Sequence, residues 1–105
     1  MQMIAIEDTH IVADNLAVSR AVFASGDRQY QAELRLYLQK NDCLGICLGR
    51  HDRGIDTSEL NDYLLSHKME LRQKISTQIP ELRREYRQKL LADKDDINWP
   101  VVNAG

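Results

Sequence analysis

Residues 28–40 read RQYQAELRLYLQK, and this stretch decides the fold class of the chain. Tyr30, Ala32, Leu34, Leu36 and Leu38 occupy every second position. A period of two is typical of a strand with one buried face. After residue 54 the rhythm changes, and apolar residues recur every third or fourth position, as on one face of a helix. This second pattern comprises Leu60, Leu64, Leu71, Ile75, Ile79, Leu82, Tyr86 and Leu90, with His67 on the same stripe. The sequence therefore predicts strands first and helices afterwards.

Turn signals divide the first half of the chain into four to five short strands, over about residues 2–49. Ser25-Gly26-Asp27 suits a hairpin loop, because Gly adopts positive φ and the polar neighbours bond the nearby backbone. Residues 16–24 favour a strand through their β-branched and aromatic residues, although their alanines leave a helix open. Residues 43–48 are nearly all apolar, which predicts a central strand buried on both faces. Its two glycines permit a bulge or a close backbone approach.

Two helices follow, at about residues 57–77 and 80–93. Asp56 is a candidate N-cap, with Glu59 three residues later, as in a capping box. Pro80 predicts a break near residues 77–80, because proline lacks an amide hydrogen and restricts the residue before it. Residues 97–102 form an apolar C-terminal tail. The expected fold is a single α+β domain over residues 1–105, with an antiparallel β-meander and both helices packed on one of its faces.

Composition and cysteine usage predict a small cytoplasmic protein. The 105 residues carry a net charge of −2, and 43% are hydrophobic. Cys43 and Cys47 would lie about 13 Å apart in a strand, too far for a disulfide. Free thiols fit a reducing compartment. The start of the chain has no run that suits a signal peptide or a membrane span, so no membrane partner is expected.

No set of residues forms a recognised catalytic, cofactor or metal motif. Cys43, Cys47 and His51 are spaced by four, whereas zinc ligands usually come from a tight turn. A small hydrolase or nuclease would need a cleft in which His51, Asp52 and His10 converge. We therefore expect a protein that is not an enzyme and assign no catalytic, cofactor-binding or metal residue.

The densest positive charge lies on the second helix, at Arg83, Arg84 and Arg87. Residues 66–94 contain eight Lys or Arg and four Asp or Glu, a balance of +4. Such a stripe could contact phosphates, which is the basis for an alternative function as a nucleic-acid-binding accessory protein. Glu81 and Glu85 lie at helical spacing from these arginines, and the overall charge is acidic, so a solvated face is the simpler interpretation.

Three further residues are candidates for protein contact. Arg35 and Tyr37 lie on the outward side of the alternating strand, and Trp99 either completes the core or anchors a partner. We predict a non-enzymatic protein that acts by protein–protein binding. Phages and other mobile elements encode many compact accessory or inhibitor proteins of this size. The long apolar stripe also favours a homodimer formed through the helices.

Overall fold

The computed structural model describes the backbone of residues 1–104 and the side chains of residues 1–92. Four strands form one antiparallel sheet in the order β1-β2-β3-β4, and two helices follow them. The strands are β1 (Gln2–Ala13), β2 (Leu16–Ser25), β3 (Arg28–Gln39) and β4 (Asp42–His51), and the helices are α1 (Thr57–Ser66) and α2 (Lys68–Ala104). Both helices contribute to a core on one face of the sheet. The predicted α+β meander with its two helices is confirmed.

The alternating stretch forms β3 and points its apolar side chains at the helices. Ala32, Leu34, Leu36 and Leu38 are all buried. They pair without interruption with β2, which buries Ala17, Ala21 and Phe23 on the same side. Gly26 takes a φ of 61° in the connecting turn, as its position in the hairpin predicts. Residues 16–24 are thus a strand, and the helical alternative is wrong.

The first strand is a single element whose pairing with β2 shifts register at three places, the central one being a bulge at Asp8 and Thr9. Asp8 and Thr9 together oppose Ser19 on β2, and Asp8 adopts a φ of 54°. The buried Ser19 hydroxyl fills the gap, donating to the Glu7 carbonyl oxygen over 3.0 Å and bonding the Thr9 hydroxyl at 2.8 Å. Asp8 and Thr9 therefore form a bulge within one continuous strand.

The last strand, β4, lies at an edge of the sheet, so the prediction of a central strand buried on both faces is wrong. Cys43 is buried, but Leu44 is 46% exposed and Cys47 is also exposed. The bulge that the glycines permit is present, since β4 shifts register against β3 beside Gly45 and again between Leu48 and His51, and the Glu33 side chain approaches Gly49 closely. A Cβ atom at Gly49 would lie 3.0 Å from Oε1 of Glu33. The chain leaves β4 for a helix, so no fifth strand covers this edge.

The first helix begins where the sequence predicts, but the second begins earlier than predicted, because the break between them lies elsewhere. Asp56 caps α1, because its carboxylate accepts the Glu59 amide at 3.1 Å. The break lies at His67, whose ring stacks on Tyr63 with centroids 4.0 Å apart, and not near residues 77–80. His67 Nδ1 also bonds the Tyr63 carbonyl oxygen at 2.9 Å. The predicted bounds of 57–77 and 80–93 are therefore corrected to Thr57–Ser66 and Lys68–Ala104.

Pro80 lies inside α2 because burial of its neighbours holds the helix together. Ile75, Ile79 and Leu82 are among the buried core residues, on the face that meets the sheet. Burying such side chains contributes about 1.5–3 kcal/mol each, which offsets the roughly 3 kcal/mol cost of an interior proline. The predicted tail at residues 97–102 belongs to α2, and the placement of the Trp99 side chain lies outside the described residues.

Candidate functional site

The side chains that point away from the helices form one surface, which we call the open face. Arg35 and Tyr37 lie on it, as the alternation of β3 predicts. The side chain of Arg35 is 50% exposed and Tyr37 is 44% exposed. The Tyr37 ring leans over Gly45 on β4, where a Cβ atom would stand 3.9 Å from the ring. Small residues on β4 therefore let the side chains of β3 spread across the edge of the sheet.

A depression of about 380 Å³ lies on the open face and is lined by residues from all four strands. Its lining includes His10, His51 and Asp52, the three residues whose convergence a hydrolase or nuclease would require. His10 and His51 come from β1 and β4, the two edges of the sheet, about 14 Å apart at 4.8 Å per strand. The lining also includes Arg20, Glu33 and Arg50.

The polar groups of this depression are bonded mainly to one another and to the backbone. Asp52 accepts the Gln31 amide at 2.8 Å and donates its own amide to the Gln31 carbonyl at 3.0 Å. Arg20 contacts Glu7 at 2.8 Å and Asp8 at 2.9 Å, and its hydrogen bond to Glu7 raises the pKa of the guanidinium. Within residues 1–92 no three His, Cys, Asp or Glu side chains group as metal ligands.

Neither histidine in the depression bonds an acidic side chain among the residues described. Nδ1 of His10 lies 2.7 Å from the Asp8 carbonyl oxygen, and Nδ1 of His51 lies 3.1 Å from the Asp52 carbonyl oxygen. Both contacts orient the rings and leave each Nε2 atom free of protein partners in this part of the chain. The lining of the depression can therefore make polar contacts with a molecule that binds at this shallow surface.

The three predicted arginines of α2 have different environments. Arg83 donates Nη1 to the Asp14 carbonyl at 2.8 Å, and Nε and Nη2 to the Lys40 carbonyl. It therefore ties α2 to the β1–β2 and β3–β4 turns. Arg84 pairs with Glu81 at 3.2 Å on the surface, and Arg87 is exposed. Only part of the predicted basic stripe is thus available to a partner.

The helix α2 crosses the sheet from one edge to the other. Near its start, Ser76 Oγ accepts the Cys43 amide at 3.1 Å, and Arg72 Nε donates to the Cys43 carbonyl at 2.7 Å on β4. About three turns later, Tyr86 and Lys89 lie beside Ile11 on β1. The 37 residues of α2 span about 55 Å, whereas the four strand axes span about 14 Å. The helix therefore extends past β1.

We call residues 87–92 the projecting segment, since they begin where α2 passes β1, with Lys89 beside Ile11, and continue beyond it. All six are exposed, and they include Leu90 at 47% and Leu91 at 62%. The sequence places Leu90 on the core-facing stripe, but the sheet has ended before that stripe reaches it. Sequence reasoning missed this segment because it cannot measure where the sheet stops.

The two cysteines are free thiols, as predicted, and they differ in access. Burial raises the pKa of the Cys43 thiol, which lies beneath α2. Cys47 is exposed on the open face of β4. A reagent in solution can thus reach Cys47 while Cys43 stays protected.

In the part of the chain that the structure describes, no helix is both long enough and apolar enough to cross a membrane. Comparisons of the chain with family models, with curated proteins and with solved structures found no match, so its function is inferred from its own residues.

Proposed function

We propose that the chain is a non-enzymatic protein that binds another protein through the projecting segment of α2. The observation that carries this proposal is the exposure of Leu90 and Leu91 on a helix that has already passed the edge of its own sheet. Two neighbouring leucines with this exposure have no covering surface among the described residues. An amphipathic helix that enters an apolar groove is a common mode of protein recognition.

The charges around the projecting segment indicate the chemistry of the partner. Arg84, Arg87 and Lys89 precede the two leucines in the sequence, with Glu85 among them, whereas Asp93, Asp95 and Asp96 follow them. A partner with an apolar groove, and with carboxylates at the end of the groove that meets the arginines, would complement the leucines and these cations. Such a protein fits an accessory or inhibitor of the phage or mobile-element type. Two free thiols support a reducing compartment such as the cytoplasm.

Nucleic-acid binding remains the alternative proposal, and the arginine contacts favour it less. Arg83 already bonds two backbone carbonyls, and Arg84 pairs with Glu81. A phosphate would have to compete with these bonds. On this surface of α2, fewer arginine side chains are available to bind phosphate than the sequence indicates, whereas Leu90 and Leu91 are both exposed.

The test is affinity capture of partners from a native lysate with the wild-type chain and with Leu90→Ala/Leu91→Ala. We expect a stoichiometric protein partner with the wild type, and an affinity at least about tenfold weaker for the double variant, since anchor side chains dominate binding energies. Leu65→Ala/Met69→Ala is the matched control, because these residues are 73% and 72% exposed near the junction of α1 and α2.

Two outcomes would contradict the proposal. Equal loss of binding in the control pair would remove the projecting segment as the site. Recovery of nucleic acid in place of protein, with retention that falls steeply with salt and is lost in Arg84→Ala/Arg87→Ala/Lys89→Ala, would establish the alternative. That triple variant leaves Arg83 and its structural bonds in place.

A further inference from the structure

The free edge of β4 contains a short regular segment, residues 45–48, between two register shifts in its pairing with β3. Residues 43–49 read CLGICLG and contain no charged residue and no proline. The other edge, β1, carries a bulge with Asp8 at positive φ, and α2 passes beside it. Bulges, charges and covering elements are the usual means by which edges avoid pairing with another strand. Residues 45–48 lie between the register shifts of β4 and carry no charge, which indicates that this short segment pairs with another strand.

The register of the sheet shows which backbone groups of β4 are free. The Leu38 amide donates to Asn15, so this residue turns its backbone groups toward β2. Alternate residues of an antiparallel strand face the same neighbour, so Leu34 and Leu36 do the same. Their partners on β4 are Leu48 and Ile46, whose N–H and C=O groups therefore point outward.

Cys43 is the partner of Leu38, so its N–H and C=O groups also point outward, but both already form hydrogen bonds within the molecule. Its amide bonds Ser76 and its carbonyl accepts from Arg72. No side chain among residues 1–92 provides the corresponding bonds to Ile46 or Leu48. The available edge is therefore a short segment centred on Cys47.

We propose that a second copy of this chain pairs with β4 in antiparallel fashion, about a two-fold axis at Cys47. The segment Gly45-Ile46-Cys47-Leu48-Gly49 is symmetric in residue character about its centre. A two-fold axis there places Gly45 opposite Gly49 of the second copy and Ile46 opposite its Leu48. Identical surfaces that meet across a two-fold axis must be self-complementary in this way.

The side chains support this arrangement on both faces of the joined sheet. Ile46 and Leu48 are only half-buried at the margin of the core, so cross-strand contact with their counterparts would complete their burial. On the open face, Tyr37 lies over Gly45, and Glu33 and Arg35 lie over Gly49, while Cys47 between the two glycines is exposed.

This interface uses a different edge from the proposed partner site and does not depend on it. The projecting segment of α2 lies beyond β1, whereas the two-fold axis lies at β4. In the eight-stranded sheet that results, each outer edge is β1. A dimer would therefore carry one projecting segment at each end and bind two partners or two sites.

The test combines the oligomeric state with a cross-link. In a pair that is not hydrogen-bonded, Cα atoms lie about 4.5 Å apart, within the range of a disulfide. We expect sedimentation to show a concentration-dependent dimer for the reduced protein, and mild oxidation to give a disulfide-linked dimer in Cys43→Ser. Cys47→Ser is the control, and it should dimerise without forming the cross-link.

A backbone variant tests the pairing itself. Ile46→Pro removes an outward N–H and no bond to β3, a position that tolerates proline. It should raise the dimer dissociation constant at least about tenfold, because two hydrogen bonds per dimer are lost. Ile46→Ala, which keeps the amide, measures the side-chain contribution separately, and circular dichroism checks that both variants fold. A monomeric wild type, a dimer that withstands Ile46→Pro, or a dimer in which Cys47 does not cross-link would overturn the proposal.

Discussion

Arg83 and Arg84 are neighbours in sequence, but the structure gives them different roles. Arg83 bonds the carbonyl groups of Asp14 and Lys40, in two separate turns, whereas Arg84 forms a surface ion pair with Glu81. We expect Arg83→Ala to lower the free energy of unfolding by about 1–2 kcal/mol, because it leaves two turn carbonyls without their charged donor. Urea denaturation at fixed protein concentration measures this loss.

Arg84→Ala is the matched control for this prediction. An exposed ion pair contributes about 0–1 kcal/mol, so the control should change the free energy of unfolding by less than Arg83→Ala does. Equal losses in both variants would mean that Arg83 does not fasten the turns. Arg83→Lys adds a second comparison, since a lysine cannot span both carbonyls with a planar fork.

Contacts between residues close in the sequence were predictable from it, and contacts between residues far apart in the sequence were not. The cap at Asp56 depends on a residue three positions away, and the spacing predicted it correctly. The contacts of Arg83 join residues 43 and 69 positions apart. The spacing of charges along a helix predicts which side chains of the same helix an arginine can pair with. It contains no information about the carbonyl groups of turns that the fold brings close to the helix.

At the level of elements, the sequence predicted which face of a strand is buried more reliably than where the strand lies in the sheet. Alternation in β3 identifies its buried side, because the pleat enforces a period of two. The apolar run of β4 resembled a central strand, but an edge strand that pairs between molecules has the same composition. What makes β4 an edge is the chain that follows it, which turns into α1 without adding a strand.

The position of the helix break depends on the cost of Pro80 relative to the stabilisation from its buried neighbours, and the sequence pattern does not give the size of either. Pro80 removes the hydrogen bond to the Ser76 carbonyl, yet Ile75, Ile79 and Leu82 keep the helix on the sheet. We expect Pro80→Ala to raise the free energy of unfolding by about 1–2 kcal/mol. The restored helical bond exceeds the 0.4–1 kcal/mol of chain entropy that proline removes from the unfolded state.

Thermal and urea unfolding followed by circular dichroism measure this gain. Lys74→Ala is the control on the same helix, since an exposed lysine replaced by alanine changes stability by a few tenths of a kcal/mol through helix propensity alone. A loss of stability in Pro80→Ala would show that proline suits the local geometry of α2 and that the helix does not continue regularly through this position.

At the scale of the whole molecule, one apolar cluster joins the sheet to both helices. It contains Phe23 and Leu36 from the sheet, Leu60 from α1, and Ile75 and Ile79 from α2. A domain with a single shared core is expected to unfold in one cooperative transition. The helices have no core of their own to retain when the sheet is lost, so sheet and helices should unfold together.

Cys43 provides a site-specific probe of that cooperativity, since it is a buried residue of β4 whose backbone is bonded to Ser76 and Arg72 of α2. In Cys47→Ser, the one remaining thiol should react with an alkylating reagent only as the protein unfolds, because burial both shields it and raises its pKa. We expect its reactivity across a urea series to follow the loss of helical circular dichroism with the same midpoint.

Separate midpoints would contradict a single transition, and their order would identify the weaker part. If α2 detached first, Cys43 would react at urea concentrations where the sheet persists. Cys43→Ser, which retains the exposed Cys47, is the control. After correction for the effect of urea on the reagent, its thiol should react at the same rate in folded and unfolded protein. The rate should be lower in any condition where β4 is paired with a second copy. The pair of variants therefore distinguishes opening of the core from separation of a dimer.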